Sequence, residues 1–224
     1  MRKSAVILGL IAFVICGVLG FFAARQTLNP SSTTQDPPET PATQIQQNFI
    51  LLLVDDLEQA NPNLNSAWFM LLYKGSSPNI NFQLIYPVTN FPDRSLKNQF
   101  TLTDGGALDP AFIQLVHNQY QITIDNYIIL DKYALNRIAE WLGASELVYD
   151  PSDSDSMITE QTHLLEQGCA FMKSPSINTS SPFDWVSLVP NHMRTDLTFE
   201  QAISSWKQLA DQYTLLSCDI FGSK

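Results

Sequence analysis

The chain has 224 residues and a formal net charge of −10 at pH 7, with 22 acidic against 12 basic residues. This balance argues against a nucleic-acid-binding protein, because binding to a phosphate backbone depends on basic surface. It also argues against electrostatic docking on anionic lipid, and we attribute the acidity to solubility. The length suffices for one domain of ordinary size with additional segments.

An apolar run lies near the start of the chain. Ala5–Ala24 contains 20 residues without a charge, between a short basic segment at 1–4 and Arg25. Since a helix needs about 20 residues to span a bilayer core, the run predicts an uncleaved transmembrane anchor. A cleaved signal peptide is the alternative, although its apolar stretch usually has about 7–15 residues. Arg2 and Lys3 outweigh Arg25, which predicts a single-pass cell-membrane protein with a cytoplasmic N-terminus and an extracytoplasmic remainder.

The segment that follows the run differs sharply in composition. Residues 25–47 are rich in Pro, Thr, Ser and Gln and contain hardly any bulky apolar side chain. Such a segment cannot bury a core, so we expect a disordered linker. The folded domain is predicted over residues 48–224.

Apolar runs and helical spacings alternate along this domain. The apolar runs at Phe49–Val54 and Ala67–Tyr73, and a third, mostly apolar run at Asn81–Tyr86, predict strands that are buried on both faces. Further elements are predicted as helices at Leu108–Tyr120, Lys132–Leu142, Met157–Met172 and Leu197–Tyr213, and strands at Ile122–Leu130 and Glu146–Tyr149. Gly143 is expected to cap the second helix. The pattern predicts a single α/β domain with a mixed central β-sheet flanked by helices.

Two acidic residues, Asp55 and Asp56, directly follow the first predicted strand. Open α/β sheets usually bind ligands at the carboxyl ends of their strands. Carboxylates at such a position can hold a divalent cation or orient an arginine. The alternative is that both aspartates cap the next turn.

The other reactive residue types do not form a recognisable site. The three histidines, His117, His163 and His192, are scattered, and no two have metal-ligand spacing. Cys169 and Cys218 either pair in an oxidising compartment or remain two buried thiols, and the sequence leaves both alternatives open. There is no Gly-rich phosphate loop and no nucleophile elbow. These residues by themselves predict no enzyme site.

Four segments of the chain carry a resemblance to a known family. They are NFILLLVDD at 48–56, NSAWFMLLY at 65–73, QLIYPVT at 83–89 and ITIDNYIILDKYALNRIAEWLGA at 122–144. Their order and spacing resemble those of the LytR-CpsA-Psr family. Its corresponding motifs are Asn-Ile-Leu-Leu-Leu-Gly-x-Asp, Arg-Ser-Asp-Thr before an apolar strand, an apolar strand ending in Pro-Arg-Asp, and an Ile-Asp-x-Tyr strand with an acidic turn and a helix.

The resemblance implies a function in the bacterial cell envelope. Family members are membrane-anchored phosphotransferases that move glycopolymers from a polyprenyl-pyrophosphate carrier to peptidoglycan, usually with a magnesium ion. Arginines neutralise the charge that builds up on the pyrophosphate, and carboxylates hold the metal. The predicted anchor and extracytoplasmic domain agree with this arrangement.

This chain departs from the family at the charged positions. Neutral residues replace two arginines and two aspartates, at Asn65, Ala67, Val88 and Thr89. Asp56 is retained and is the candidate Mg²⁺ ligand if transferase activity persists, and Asp125 is retained on the later strand. The helix at Met157–Met172, which we match to the family's second arginine cluster, contains no arginine.

Three hypotheses follow. The first is a catalytically degenerate domain that binds a polyprenyl lipid, an active paralogue or another envelope protein. The second is an active phosphotransferase that uses Asp55, Asp56 and either Arg94 or Arg194. The third is a purely structural or interaction domain.

Overall fold

The structure is a computed structural model that describes part of the chain. The described residues are 45–74, 78–87, 95–144, 147, 153–173, 187–198, 200–202, 204 and 217–222. The predicted anchor at Ala5–Ala24 and the linker residues 25–44 lie outside them. Within the described residues, no helix is both long enough and apolar enough to cross a bilayer.

A six-stranded mixed sheet forms the centre of the fold. The strands are β1 Ile45–Val54, β2 Leu64–Lys74, β3 Asn79–Tyr86, β4 Asn126–Leu130, β5 Met193–Thr195 and β6 Ser217–Phe221. They lie side by side in the order β5-β4-β1-β2-β3-β6. β1 and β4 are parallel, as are β3 and β6, and the other three pairings are antiparallel. The predicted α/β domain with a mixed central sheet is thereby confirmed.

Within the described ranges, four helices with defined bounds lie between these strands: α1 Ser95–Gln99, α2 Pro110–Tyr120, α3 Lys132–Trp141 and α4 Ser154–Lys173. Two of them begin at an aspartate whose side chain accepts a hydrogen bond from the first turn. Asp109 accepts from the Ala111 amide, and Asp131 accepts from the Ala134 amide. These caps satisfy backbone donors that otherwise lack a partner at a helix N-terminus.

The two faces of the sheet pack against different helices, because side chains alternate along each strand. One face packs on α1 and α2, and we call this core the α2 layer; its largest buried members include Ile50, Leu52, Phe69, Leu96 and Phe112. The other face packs on α3 and α4, and we call this core the α4 layer; it includes Phe49, Leu53, Trp68, Leu135 and Leu164. The central strands are buried on both faces, and for this reason their sequences are apolar at almost every position.

Most predicted elements are found, with shifted boundaries. The first strand begins at Ile45, three residues before the predicted domain start at Asn48. The strand predicted at Ile122–Leu130 covers only Asn126–Leu130, because Gln121 adopts a left-handed conformation (φ 56°) after α2. Gly143 has φ 77° and its amide donates to Glu140 O, as expected of a helix cap.

Other predictions were incomplete. α1, β5 and β6 were not predicted, because they are only three to five residues long and show no apolar periodicity. Of the strand predicted at Glu146–Tyr149 only Leu147 is described, and it is not in a strand. Of the helix predicted at Leu197–Tyr213, residues 200–202 are helical and 197–198 are not, and most of the remainder lies outside the described residues.

A disulfide bond joins α4 to the edge strand β6. It links Cys169 to Cys218, whose Cα atoms are 5.7 Å apart. Of the two alternatives that the sequence left open, the structure contains the bonded form. The bond therefore attaches the helix that covers the α4 layer to the outermost strand of the sheet.

Candidate functional site

The candidate site lies at the edge of the sheet where β1 and β4 end, which we call the carboxyl edge. β2 begins at this edge because it is antiparallel to β1, and β3 ends there because it is antiparallel to β2. The register places Ala67 opposite Leu52 on one side and Tyr86 on the other. Strand directions thus bring the residues after β1, the start of β2 and the end of β3 to the same edge.

The carboxylates of the two aspartates after β1 accept hydrogen bonds from residues of the turn that follows. Asp55 Oδ1 accepts hydrogen bonds from the amides of Asp56 and Asn63, both at 2.8 Å, and Oδ2 accepts from Asn63 Nδ2 at 2.7 Å. Asp56 Oδ1 accepts from the Glu58 amide at 2.9 Å, and Oδ2 accepts from Gln59 Nε2 at 3.2 Å. Both aspartates therefore cap the turn after β1, which was the second of the two alternatives for these residues.

The structure does not bring Asp125 to these aspartates. Its Oδ2 accepts from the Asn48 amide at 2.8 Å, at the opposite end of β1. Seven residues separate Asn48 from Asp55 along the strand, which is about 23 Å at about 3.3 Å per residue. The three candidate ligands Asp55, Asp56 and Asp125 therefore do not converge, because β4 runs parallel to β1 and its first residue, Asn126, lies beside Phe49.

No alternative metal site replaces it among the described residues. No group of three or more His, Cys, Asp or Glu side chains converges there. His117 Nδ1 lies 3.1 Å from Ile122 O, and His163 lies beside Glu166 and Gln167 on the same helix. These two histidines make local contacts, away from the carboxyl edge.

The positions where the family carries charge differ in their surroundings. Ala67 is fully buried in the α2 layer, and Asn65 beside it is partly buried. Val88, Thr89 and Arg94 lie outside the described residues. At the two described positions, neutral side chains therefore occupy the start of β2.

Arg194 lies at the carboxyl edge, but it does not form an ion pair with Asp56. Its Nη2 donates to Leu57 O at 2.8 Å, Nη1 donates to Gly106 O at 3.3 Å, and Nε donates to Pro190 O at 3.4 Å. A Cβ at Gly106, where φ is 77°, would lie 2.6 Å from Arg194 Nη1. The guanidinium thus connects three loops through their carbonyl groups.

A pair formed by the buried Asp131 and the partly exposed His192 at the same edge was not predicted. Asp131 is 2% exposed, and its Oδ2 lies 2.8 Å from His192 Nδ1 while Oδ1 caps α3. The His192 ring lies against Tyr133, with centroids 4.2 Å apart. Asp131 is recognisable in the sequence as a residue between a strand and a helix, but its partner is 61 residues away. Nothing local links the two.

A second unpredicted polar group lies within the α4 layer. Gln161 of α4 is 3% exposed, and its Oε1 accepts from Ser66 Oγ at 2.8 Å and from Trp68 Nε1 at 3.0 Å. The Gln161 Nε2 atom is buried and has no hydrogen-bond partner. Ser66 and Trp68 belong to the first residues of β2, so this group lies just inside the carboxyl edge.

Lys74 is a titratable group with a perturbed pKa. Burial lowers the pKa of the Lys74 ammonium below its ordinary value, because desolvation disfavours the charged form. Lys74 ends β2 at the edge opposite to the candidate site. The pKa shift is therefore not a signature of the carboxyl edge.

Comparisons with known proteins find similarity only among solved structures. No protein-family model matches the chain, and no curated protein sequence does. A structure titled "TagT bound to LIIa-WTA" is 12% identical with a TM-score of 0.49, over 86% of this chain and 84% of that one.

Two structures from Bacillus subtilis are similar at the same level. The transcriptional regulator yvhJ is 14% identical with a TM-score of 0.47, over 79% of this chain and 81% of that one. TagV is 8% identical with a TM-score of 0.47, over 78% and 84%. Likeness at this level does not by itself indicate an activity.

Proposed function

We propose that this chain is a membrane-anchored, extracytoplasmic LytR-CpsA-Psr-like domain of the bacterial cell envelope that binds a polyprenyl lipid and has lost transferase activity. The observation that carries the proposal is the uncharged polar group Ser66, Trp68 and Gln161, whose buried amide nitrogen lacks a partner. An incomplete polar group inside an apolar layer suits a ligand that is mostly apolar.

Two independent features support the extracytoplasmic location. The apolar run Ala5–Ala24 has the length and flanking charges of a signal anchor. The disulfide between Cys169 and Cys218 favours an oxidising compartment, because cytosolic proteins rarely keep structural disulfides.

The loss of transferase activity follows from the charges at the carboxyl edge. Phosphoryl transfer depends on cations and metal-bound carboxylates that stabilise developing charge. Here Asp55 and Asp56 are engaged in their own turn, and Arg194 donates to carbonyl groups. Losing one aligned donor typically costs about 10²–10³ in rate, so several losses together leave almost no catalysis.

Lipid binding is compatible with the same structure. The α4 layer consists mostly of apolar side chains, and burial of a polyprenyl chain needs no charged side chain. A buried donor without a partner is rare in native proteins and calls for a water or a ligand. We infer that the lipid enters between the sheet and α4.

The test is the thermal stability of the full chain in detergent with polyprenyl phosphate, with and without Mg²⁺. We expect the lipid to raise the melting temperature equally in both conditions, since a ligand that binds only the native state stabilises it. A shift that requires Mg²⁺ would instead support an active transferase, and no shift would support a purely structural domain.

Asp56→Ala is the matched variant for this experiment. We expect it to retain the lipid-induced shift, because the turn around Asp56 lies outside the α4 layer. Glycopolymer transfer by the wild-type chain that disappears in Asp56→Ala would refute the loss of activity.

A further inference from the structure

Both oxygens of the buried Asp131 carboxylate have hydrogen-bond partners. Oδ2 lies 2.8 Å from His192 Nδ1, and Oδ1 accepts from the Ala134 amide at 2.9 Å. An ionised carboxylate can only accept hydrogen bonds, so the proton of the neutral His192 ring lies on Nδ1 and Nε2 keeps a lone pair. The Asp131 amide also donates to His192 O at 3.2 Å, which holds the two backbones together. Asp131 therefore determines which ring nitrogen of His192 is available.

The available nitrogen, His192 Nε2, is accessible. The His192 side chain is 23% exposed, whereas the Asp131 side chain is 3% exposed. Within the described residues, Nε2 makes no hydrogen bond, and it is not one of the buried polar atoms that lack a partner. The atom therefore reaches solvent with its lone pair free, which is the state of a histidine that can accept a proton.

The pair lies where open α/β sheets usually bind ligands. Asp131 directly follows β4 at the carboxyl edge. The Tyr133 ring packs against the His192 ring, with centroids 4.2 Å apart, and Tyr133 is 53% exposed. An accessible base and an exposed aromatic ring thus lie side by side at this edge.

We propose that His192 is a general base that activates water for the hydrolysis of an uncharged carboxylic ester. Asp131 is its positioning residue, because it holds the ring in one tautomer and stabilises the imidazolium that forms. This activity goes beyond the proposed lipid binding and uses none of the side chains around Gln161.

The reaction has two proton transfers at the same nitrogen. The oxygen of a water molecule forms a bond to the acyl carbon while Nε2 takes one proton of that water. The oxyanion of the tetrahedral intermediate then re-forms the carbonyl, the bond from the acyl carbon to the ester oxygen breaks, and Nε2 returns the proton to the leaving oxygen. The products are a carboxylic acid and an alcohol, and the His192 ring is again neutral. The only co-reactant is water.

The charges of the chain and the exposed tyrosine determine the class of ester. A net charge of −10 disfavours an anionic substrate. A phosphate ester needs cations that stabilise the charge developing on the phosphoryl group, whereas the Arg194 guanidinium donates to the carbonyls of three loops. The Tyr133 ring suits an uncharged acyl or aryl group, because an aromatic side chain contributes apolar area and ring contacts.

The experiment measures hydrolysis of 4-nitrophenyl acetate by the full chain in detergent, with 4-nitrophenyl phosphate as the charged comparison. We expect hydrolysis of the acetate above the buffer rate and none of the phosphate. His192→Gln should lower kcat/KM by about 10²-fold or more, since a positioned general base contributes about 10²–10⁴ in rate. His163→Gln is the matched control, because the His163 side chain is 64% exposed on α4, and it should retain the wild-type kcat/KM.

Two further measurements separate a general base from a histidine that only holds its loop. Asp131→Asn keeps an oxygen that can cap α3 but removes the charge that fixes the tautomer, so kcat should fall at least about tenfold while KM changes by less than about twofold. Wild-type hydrolysis should be slower in heavy water than in ordinary water, because a proton of water moves during the attack. Equal rates in the two solvents would indicate direct attack of Nε2 on the ester and would overturn the role as a general base.

Each other result overturns a defined part of the inference. Wild-type hydrolysis no faster than in buffer would refute the activity, and an unchanged kcat/KM in His192→Gln would refute the assignment to His192. Faster hydrolysis of the phosphate than of the acetate would refute the class of substrate. If His192→Gln does not fold, nitrogen NMR of the wild-type chain decides, since a proton on Nε2 would refute the free base. None of these results alters the lipid-induced shift in melting temperature, so the proposed function is tested separately.

Discussion

The two layers of the core differ in the kinds of side chain that they bring together. The α2 layer is held by aromatic packing, with Phe69 edge-on to Tyr120 at 5.3 Å and Phe100 edge-on to Phe112 at 5.5 Å. The α4 layer contains the buried Ser66 and Gln161, with a donor that has no partner.

The α2 layer contributes mainly to packing, whereas the buried polar group lies on the other face of the same sheet, in the α4 layer. Edge-to-face aromatic pairs add to burial energy without leaving polar atoms unsatisfied. The α2 layer therefore resembles an ordinary core that stabilises the fold. The α4 layer instead contains the buried hydrogen bonds of Gln161 to Ser66 and Trp68, and a disulfide attaches its helix to β6.

The largest expected effect tests the packing function. Phe112→Ala removes a side chain that is 1% exposed in the α2 layer and should lower the free energy of unfolding by about 3–5 kcal/mol. Urea unfolding followed by circular dichroism measures the change. Gln114→Ala on the exposed face of α2 is the control and should change stability by no more than about 0.5 kcal/mol. Equal changes in the free energy of unfolding for the two variants would show that packing in the α2 layer does not stabilise the fold.

The next effect tests the covalent attachment of the α4 layer. Replacing Cys169 and Cys218 together by alanine should lower the free energy of unfolding by about 2–4 kcal/mol, because the bond closes a long loop in the unfolded chain. The two cysteines are 49 residues apart in sequence. Reductant should destabilise the wild-type chain similarly and leave the double variant unchanged. A wild-type chain that is insensitive to reductant would contradict this role.

The smallest effect concerns Lys74, which lies on the same face of β2 as Ser66 and Trp68 by strand alternation. Burial lowers its pKa, so the unfolded chain binds more protons in the window between the lowered pKa and 10.5. Stability therefore rises with pH through that window, and below it the charged form carries the full desolvation cost.

Lys74→Met should remove this contribution to the pH dependence. At neutral pH we expect a gain in the free energy of unfolding within about 0.5 kcal/mol. Urea unfolding between neutral pH and pH 11 measures both quantities, with Lys97→Met on an exposed position of α1 as the control. An identical pH profile for Lys74→Met and the wild-type chain would show that the ammonium group is well solvated.

Part of the candidate site was predictable because it depends on strand order. The apolar runs before Asp55 and up to Tyr86 predicted two strands, and the structure places the ends of both at the carboxyl edge. Asp125 was wrongly grouped with Asp55 and Asp56, because the sequence does not state that β4 begins beside Asn48.

The local pattern of residues was sufficient for the α/β class, the three central strands and the helix caps, since burial on both faces and capping depend on neighbouring residues. Only the tertiary structure decided which distant residues meet: Asp131 with His192, Cys169 with Cys218, and Gln161 with Ser66 and Trp68. These pairs are 49 to 95 residues apart. Their contacts depend on strand register and on the path of α4 across the sheet, neither of which leaves a periodic signal in the chain.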